Sequence, residues 1–161
     1  MYRFLLIVIL VFFNISCATG PKIKNDNPDI AFIQLKSYLN GHPNSPHTRK
    51  VKFGLAEYYF QINDYKDAIE ALTSYISDYT PDRSTAFAYF MLYKIISENY
   101  QNGGILQKIK EKFFSKSMFL MFGEAKTHSY KSIFNNTYKA YEHIDRIEVY
   151  KNNEIFLQLT P

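Results

Sequence analysis

The sequence predicts a mainly α protein, an antiparallel helix-hairpin solenoid that is followed by a small C-terminal β-hairpin module. The first observation behind this prediction is an internal repeat, because Ala31, Leu35 and Tyr38 recur 37 positions later as Ala68, Leu72 and Tyr75. Repeats of this length indicate helix pairs that bury their apolar faces only against neighbours of the same kind. The second observation is that apolar residues alternate with polar ones near the C-terminus, which is typical of strands.

The clearest helix pair lies between Gly54 and Pro81, with a tight turn at Asn63-Asp64. Five helices are expected in residues 28–122. The start signals are Asn27-Pro28, Ser45-Pro46, Asp64, and either Asp82 or Ser84, because these residues cap or open helices. The first helix should run to about Leu39, with a left-handed cap at Asn40-Gly41. The following three helices should end near Gln61, near Tyr79 and at Asn102-Gly103-Gly104, and the fifth should span Ile105 to Phe122.

A β-rich module is expected over residues 126–161. Its best-defined part is a hairpin in which Val149 faces Ile155 and Ile147 faces Leu157 on one apolar side. That pairing requires a three-residue loop, with Asn153 in the left-handed conformation; a two-residue loop would mix the two faces. The segment from Tyr130 to Tyr141 is expected to add one or two strands. An isolated hairpin is marginally stable, so the module should pack against the last helices.

The N-terminus has the pattern of an export signal followed by a lipid attachment site. Arg3 precedes an apolar run from Phe4 to Phe13, which is too short to span a bilayer. A small residue, Ser16, lies directly before Cys17, so residues 1–16 resemble a bacterial lipoprotein signal peptide. Cys17 is the predicted lipidation site, and residues 17–27 form a lipidated tether. An ordinary signal peptide with an incidental cysteine and an uncleaved anchor remain as alternatives.

Residues 28–98 resemble the tetratricopeptide repeat. The matching positions are Leu55-Ala56 and Tyr59 on one helix, Ala68, Leu72 and Tyr75 on the next, then Pro81. Together with the extension His42-Pro43-Asn44-Ser45-Pro46, they resemble periplasmic lipoproteins of the BamD type. The resemblance implies a concave, partner-binding surface formed by the first helix of each pair, with Lys50, Phe53, Glu57, Phe60, Gln61, Phe87, Phe90 and Lys94. The alternative is that the C-terminal module packs onto these phenylalanines.

Composition and motifs favour a binding protein over an enzyme. A net charge of +4 is too mild to indicate nucleic acid. The four histidines of the chain are not spaced as metal ligands, and the sequence contains no recognisable set of catalytic residues. We therefore expect no catalytic residues, no metal and no cofactor. The histidines are His42, His47, His128 and His143.

The sequence therefore predicts a lipid-anchored periplasmic adaptor that binds envelope proteins or peptides. By resemblance to BamD-type lipoproteins, its expected role is in outer-membrane protein assembly or envelope maintenance. Ala18 after the cysteine favours the periplasmic side of the outer membrane by analogy, and the inner membrane remains open. The alternative is a structural spacer in a secretion or motility machine. An adaptor should keep its concave groove exposed, whereas a spacer should have it filled by residues 105–161.

Overall fold

The computed structural model describes residues 20–21, 23, 27–100, 102–113 and 127–160. Within these residues, helices are followed by an antiparallel sheet, which confirms the predicted fold class. The helices are α1 (Pro28–Gly41), α2 (Thr48–Gln61), α3 (Tyr65–Asp78), α4 (Arg83–Asn99) and α5 (Gly103–Phe113). The strands are β1 (Thr127–Lys131), β2 (Thr137–Glu142), β3 (Ile147–Lys151) and β4 (Glu154–Leu159), in the spatial order β1-β2-β3-β4.

Three predicted N-caps are present. The Asn27 side chain accepts hydrogen bonds from the backbone amides of Asp29 and Ile30, and Asp64 accepts from Asp67. Asp82, rather than Ser84, caps α4, where it forms a capping box with Thr85. These side chains satisfy amides that have no partner within the helix. The expected turn before α3 is also present, with Asn63 in the left-handed region at φ 62°.

Some predicted helix boundaries were wrong. The expected left-handed cap of α1 is absent: the helix continues through Gly41, and its C-cap is His42 at φ −139°. Helix α2 begins at Thr48, because Ser45 to Thr48 first forms a turn closed by the Thr48 amide and the Ser45 carbonyl. Helix α4 ends at Asn99.

Gly103 and Gly104, predicted to terminate α4, instead open α5. The Asn102 side chain accepts a hydrogen bond from the Ile105 amide at 3.3 Å, so Asn102 caps the new helix. The structure follows α5 to Phe113, and the predicted continuation over residues 114–122 lies outside the described residues.

The β3–β4 hairpin differs from its predicted register. Its loop is the two-residue Asn152-Asn153, with both residues at positive φ (53° and 69°) as tight hairpin turns require. The left-handed Asn153 was predicted correctly, whereas the three-residue loop was wrong. Val149 lies opposite Leu157 and Tyr150 lies opposite Ile155, so Phe156 is an extra residue, a β-bulge. The bulge turns Phe156 into the core and leaves Ile155 64% exposed.

One main hydrophobic core joins the helices to the sheet. It contains Phe53 of α2, Phe87 and Phe90 of α4, and Tyr138 and Phe156 of the sheet. A smaller cluster holds α1 against α2 through Leu35, Val51 and Leu55, with Ile133 and Phe134 of the β1–β2 loop packed on it. The sheet therefore packs against α2 and α4.

Candidate functional site: the covered concave face and the outer cleft

The sheet covers the central part of the predicted concave surface. Phe53, Phe87 and Phe90 are fully buried. The ring of Phe53 lies 4.9 Å from that of Tyr130, and the ring of Phe87 lies 5.9 Å from that of Tyr138. These are edge-on and tilted contacts of the kind that fill protein cores. The structure thus has the arrangement in which the C-terminal module packs onto the phenylalanines.

The remaining members of the predicted surface lie at its margins. Lys50 and Gln61 are exposed. Phe60 is half-buried, with its ring 5.7 Å from Phe156. The Lys94 ammonium group lies 5.2 Å from the centre of the Phe156 ring and pairs with Glu98 at 2.6 Å, so it covers the edge of the sheet. Packing of the C-terminal sheet therefore buries some residues of the predicted concave surface and leaves others exposed.

Glu57 is the one predicted residue whose burial changes its chemistry. Its Oε1 accepts hydrogen bonds from the Tyr138 hydroxyl at 2.6 Å and from the Asn136 side-chain amide at 2.8 Å. Its Oε2 has no hydrogen-bond partner among the described residues. Burial raises the pKa of the Glu57 carboxyl, and the nearby Tyr138, Ser132 and Asn136 side chains partly oppose this rise.

This arrangement makes Glu57 a polar link between α2 and the sheet. A buried carboxyl group with two donors fixes the position of those donors, because an unsatisfied donor would cost free energy. The Tyr138 hydroxyl is correspondingly held as a donor, and both burial and the Glu57 charge raise the pKa of Tyr138. In the part of the chain that the structure describes, no cluster of three or more histidine, cysteine or acidic residues could hold a metal ion.

A cleft remains open on the other side of α2. We call it the outer cleft; its volume is about 300 Å³, and its lining residues come from α1, α2 and α3: Leu39, Lys52, Leu55, Tyr59, Asp67, Glu70, Ala71 and Ser74. The lining residue Lys52 forms a 2.8 Å ion pair with Asp78 of α3. This pair raises the pKa of Lys52 and lowers that of Asp78.

Sequence reasoning missed the outer cleft, although a signal for it exists. Lys52, Leu55 and Tyr59 are spaced by three and four residues, so they share a helix face that lies away from Phe53, Glu57 and Phe60. The repeat pattern assigns Leu55 and Tyr59 to packing within the stack. The cleft lies where residues of α1, α2 and α3 meet.

Paired helices at a 37-residue sequence spacing define a helical repeat protein of the tetratricopeptide-repeat type. A family model described as YfiO, outer membrane lipoprotein, matches residues 18–118, and the chain belongs to this BamD-like family. Searches of curated proteins and of solved structures gave no match. No helix in the described ranges has the length and apolar character needed to cross a membrane.

Proposed function

We propose that this outer membrane lipoprotein is anchored through Cys17 and acts as a non-catalytic adaptor that binds segments of envelope proteins in the outer cleft. The observation that supports this proposal is the open cleft itself. It remains accessible on a repeat of the BamD-like family after the sheet has covered Phe53, Phe87 and Phe90. By family, the process that it serves is outer-membrane protein assembly at the periplasmic surface.

The lining of the outer cleft indicates the kind of segment that fits. Leu39, Leu55 and Ala71 offer apolar area, and the Tyr59 ring lies against Phe32 at 5.4 Å. Asp67 and Glu70 place two carboxylates beside this apolar area, while Lys52 is paired with Asp78. Interfaces combine a desolvated apolar centre with complementary charge at the margin. The occupant we propose is therefore an apolar segment with a basic residue, and Phe60, Gln61 and Lys94 would provide a secondary contact at the sheet edge.

The test is a crosslinking pull-down from native membranes with wild type, Glu70→Lys and Glu111→Lys. Glu70 lines the cleft, whereas Glu111 is exposed on α5 outside it, so the second variant makes the same charge change elsewhere. We expect wild type and Glu111→Lys to recover β-barrel assembly components and Glu70→Lys to lose them. Equal recovery by all three proteins would contradict binding in the cleft.

A second candidate, the structural spacer, is favoured by the filled concave face. Phe53, Phe87 and Phe90 are packed by the sheet, as expected of a spacer. A spacer would keep its neighbours in Glu70→Lys and lose them in Cys17→Ser, which removes the lipid attachment. Recovery of a different envelope machine, insensitive to Glu70→Lys, would replace the adaptor proposal with this one.

A further inference from the structure

A second cavity lies beside Gly20 and Pro21 of the predicted tether. We call it the tether pocket; its volume is about 340 Å³, and its lining consists of Gly20, Pro21, His47, Lys50, Lys131, Ser132, Ile133 and Asn135. It lies at the start of α2 and at the end of β1, so the helical stack and the sheet both contribute to it.

The tether pocket is basic. Lys50 and Lys131 are exposed, and His47 is half-buried. The lining contains no carboxylate, and neither lysine has an ion pair within the described parts of the chain. Two ammonium groups without a carboxylate beside them form a site of positive potential, which attracts anions.

Two residues of the tether, Gly20 and Pro21, line this site. Gly20 lies against the His47 imidazole, so closely that a Cβ at this position would come within 3.2 Å of the ring. Cys17 precedes Gly20 by three residues, and consecutive Cα atoms are 3.8 Å apart, so the Cα atoms of Cys17 and Gly20 are at most about 11 Å apart. Acyl chains on Cys17 would therefore bring the pocket to the depth of the phospholipid headgroups.

We propose that the tether pocket binds the phosphate of an anionic phospholipid headgroup in the leaflet that holds the Cys17 acyl chains. This inference rests on the lipid anchor of the proposed function. Charge complementarity and the short reach of the tether select this occupant. Lysines near an anionic membrane surface each strengthen binding measurably, and the two here correspond to about a thirtyfold gain on anionic over neutral membranes. A headgroup in the pocket would hold the domain in one orientation on the membrane.

The experiment uses the full lipidated protein in two kinds of vesicle, pure phosphatidylcholine and phosphatidylcholine with phosphatidylglycerol. Amine acetylation is followed residue by residue with mass spectrometry. We expect acetylation of Lys50 and Lys131 to slow at least tenfold in the anionic vesicles, while Lys66, an exposed lysine of α3 outside the pocket, reacts equally in both. Raising the salt concentration should reverse the protection, because it screens exposed charges.

The outcomes separate the sources of failure. Equal acetylation of Lys50 and Lys131 in both vesicles, on protein that floats with them, overturns the headgroup site and leaves the adaptor proposal intact. Protection in neutral vesicles by added inorganic phosphate alone, with none from phosphatidylglycerol, assigns the pocket to free phosphate and also overturns it. Protein that does not float with either vesicle removes the anchor and this proposal together.

Discussion

Glu57 is a buried carboxyl group at the helix–sheet interface, and we expect it to make the unfolding free energy depend on pH. Its pKa is raised above the ordinary 4.5 by burial. The folded chain therefore retains a proton that the unfolded chain loses, so the stabilisation is complete below about pH 4.5 and is lost as the pH rises through the folded-state pKa. Glu57→Gln keeps an acceptor for Tyr138 without ionising, and we expect its unfolding free energy to change less with pH above about pH 4.5 in urea titrations.

The matched variant for this prediction is Glu57→Ala. It leaves the Tyr138 hydroxyl and the Asn136 amide without their acceptor, so we expect a loss of about 1–3 kcal/mol for each buried donor that water cannot reach. Wild type and Glu57→Gln with the same pH slope would show that the Glu57 proton does not contribute to stability in this range.

Gly54 allows the close contact between α2 and the β1–β2 loop. A Cβ at this position would collide with Cγ2 of Ile133 and lie 3.3 Å from Leu35 Cδ1. Because overpacking displaces neighbours that are already in contact, Gly54→Ala should lower the unfolding free energy by about 1–3 kcal/mol. Chemical denaturation measures this loss. Gly41→Ala is the control, since a Cβ there meets no atom within 4 Å; an equal loss in both variants would exclude the steric cause.

At the scale of the element, the β-bulge decides which face of β4 is buried. Phe156 is buried against Tyr138 at a ring distance of 5.9 Å, whereas Ile155 is 64% exposed. We expect Phe156→Ala to lower the unfolding free energy by about 3–5 kcal/mol and Ile155→Ala to change it by less than about 0.5 kcal/mol. Denaturant titrations of the two variants check the register. A larger loss of unfolding free energy in Ile155→Ala than in Phe156→Ala would support the regular pairing of Val149 with Ile155 instead.

The starts of α1, α3 and α4 were predictable and the bulge was not, for physical reasons. Asn27, Asp64 and Asp82 act on amides within three residues of themselves, so local sequence contains the whole interaction. The strand alternation was also local. The position of Phe156 depends on α2, because its ring packs against the ring of Phe60. The sequence pattern within β4 does not predict that contact. As expected of a two-residue loop, Tyr150 and Ile155 lie opposite each other next to the turn. Beyond the bulge, the apolar residues Val149 and Leu157 lie opposite each other again.

At the scale of the whole molecule, the sheet that covers the concave face explains why some residues of the predicted site are buried and others are exposed. The family match ends at residue 118, and the strands that cover Phe53 and Phe87 begin at Thr127. The expectation of a concave groove came from the repeat, whereas its covering comes from a segment beyond the matched region. Repeat periodicity identifies the inner face of a stack. It contains no information about which other segment of the chain packs there.

Because one core joins α2, α4 and the sheet, these elements should open together. Helix α1 is held through the smaller cluster, by the Phe32–Tyr58 stack at 4.3 Å and by the Tyr58–Asp29 hydrogen bond at 2.6 Å. Elements with fewer buried contacts open at lower free energy. Hydrogen exchange followed by mass spectrometry should therefore show β2, β3 and α4 exchanging with one common opening free energy, and α1 exchanging earlier. If the strand amides instead exchanged before those of α4, the sheet would be a separately opening lid, and the concave face would be accessible to partners in the open state.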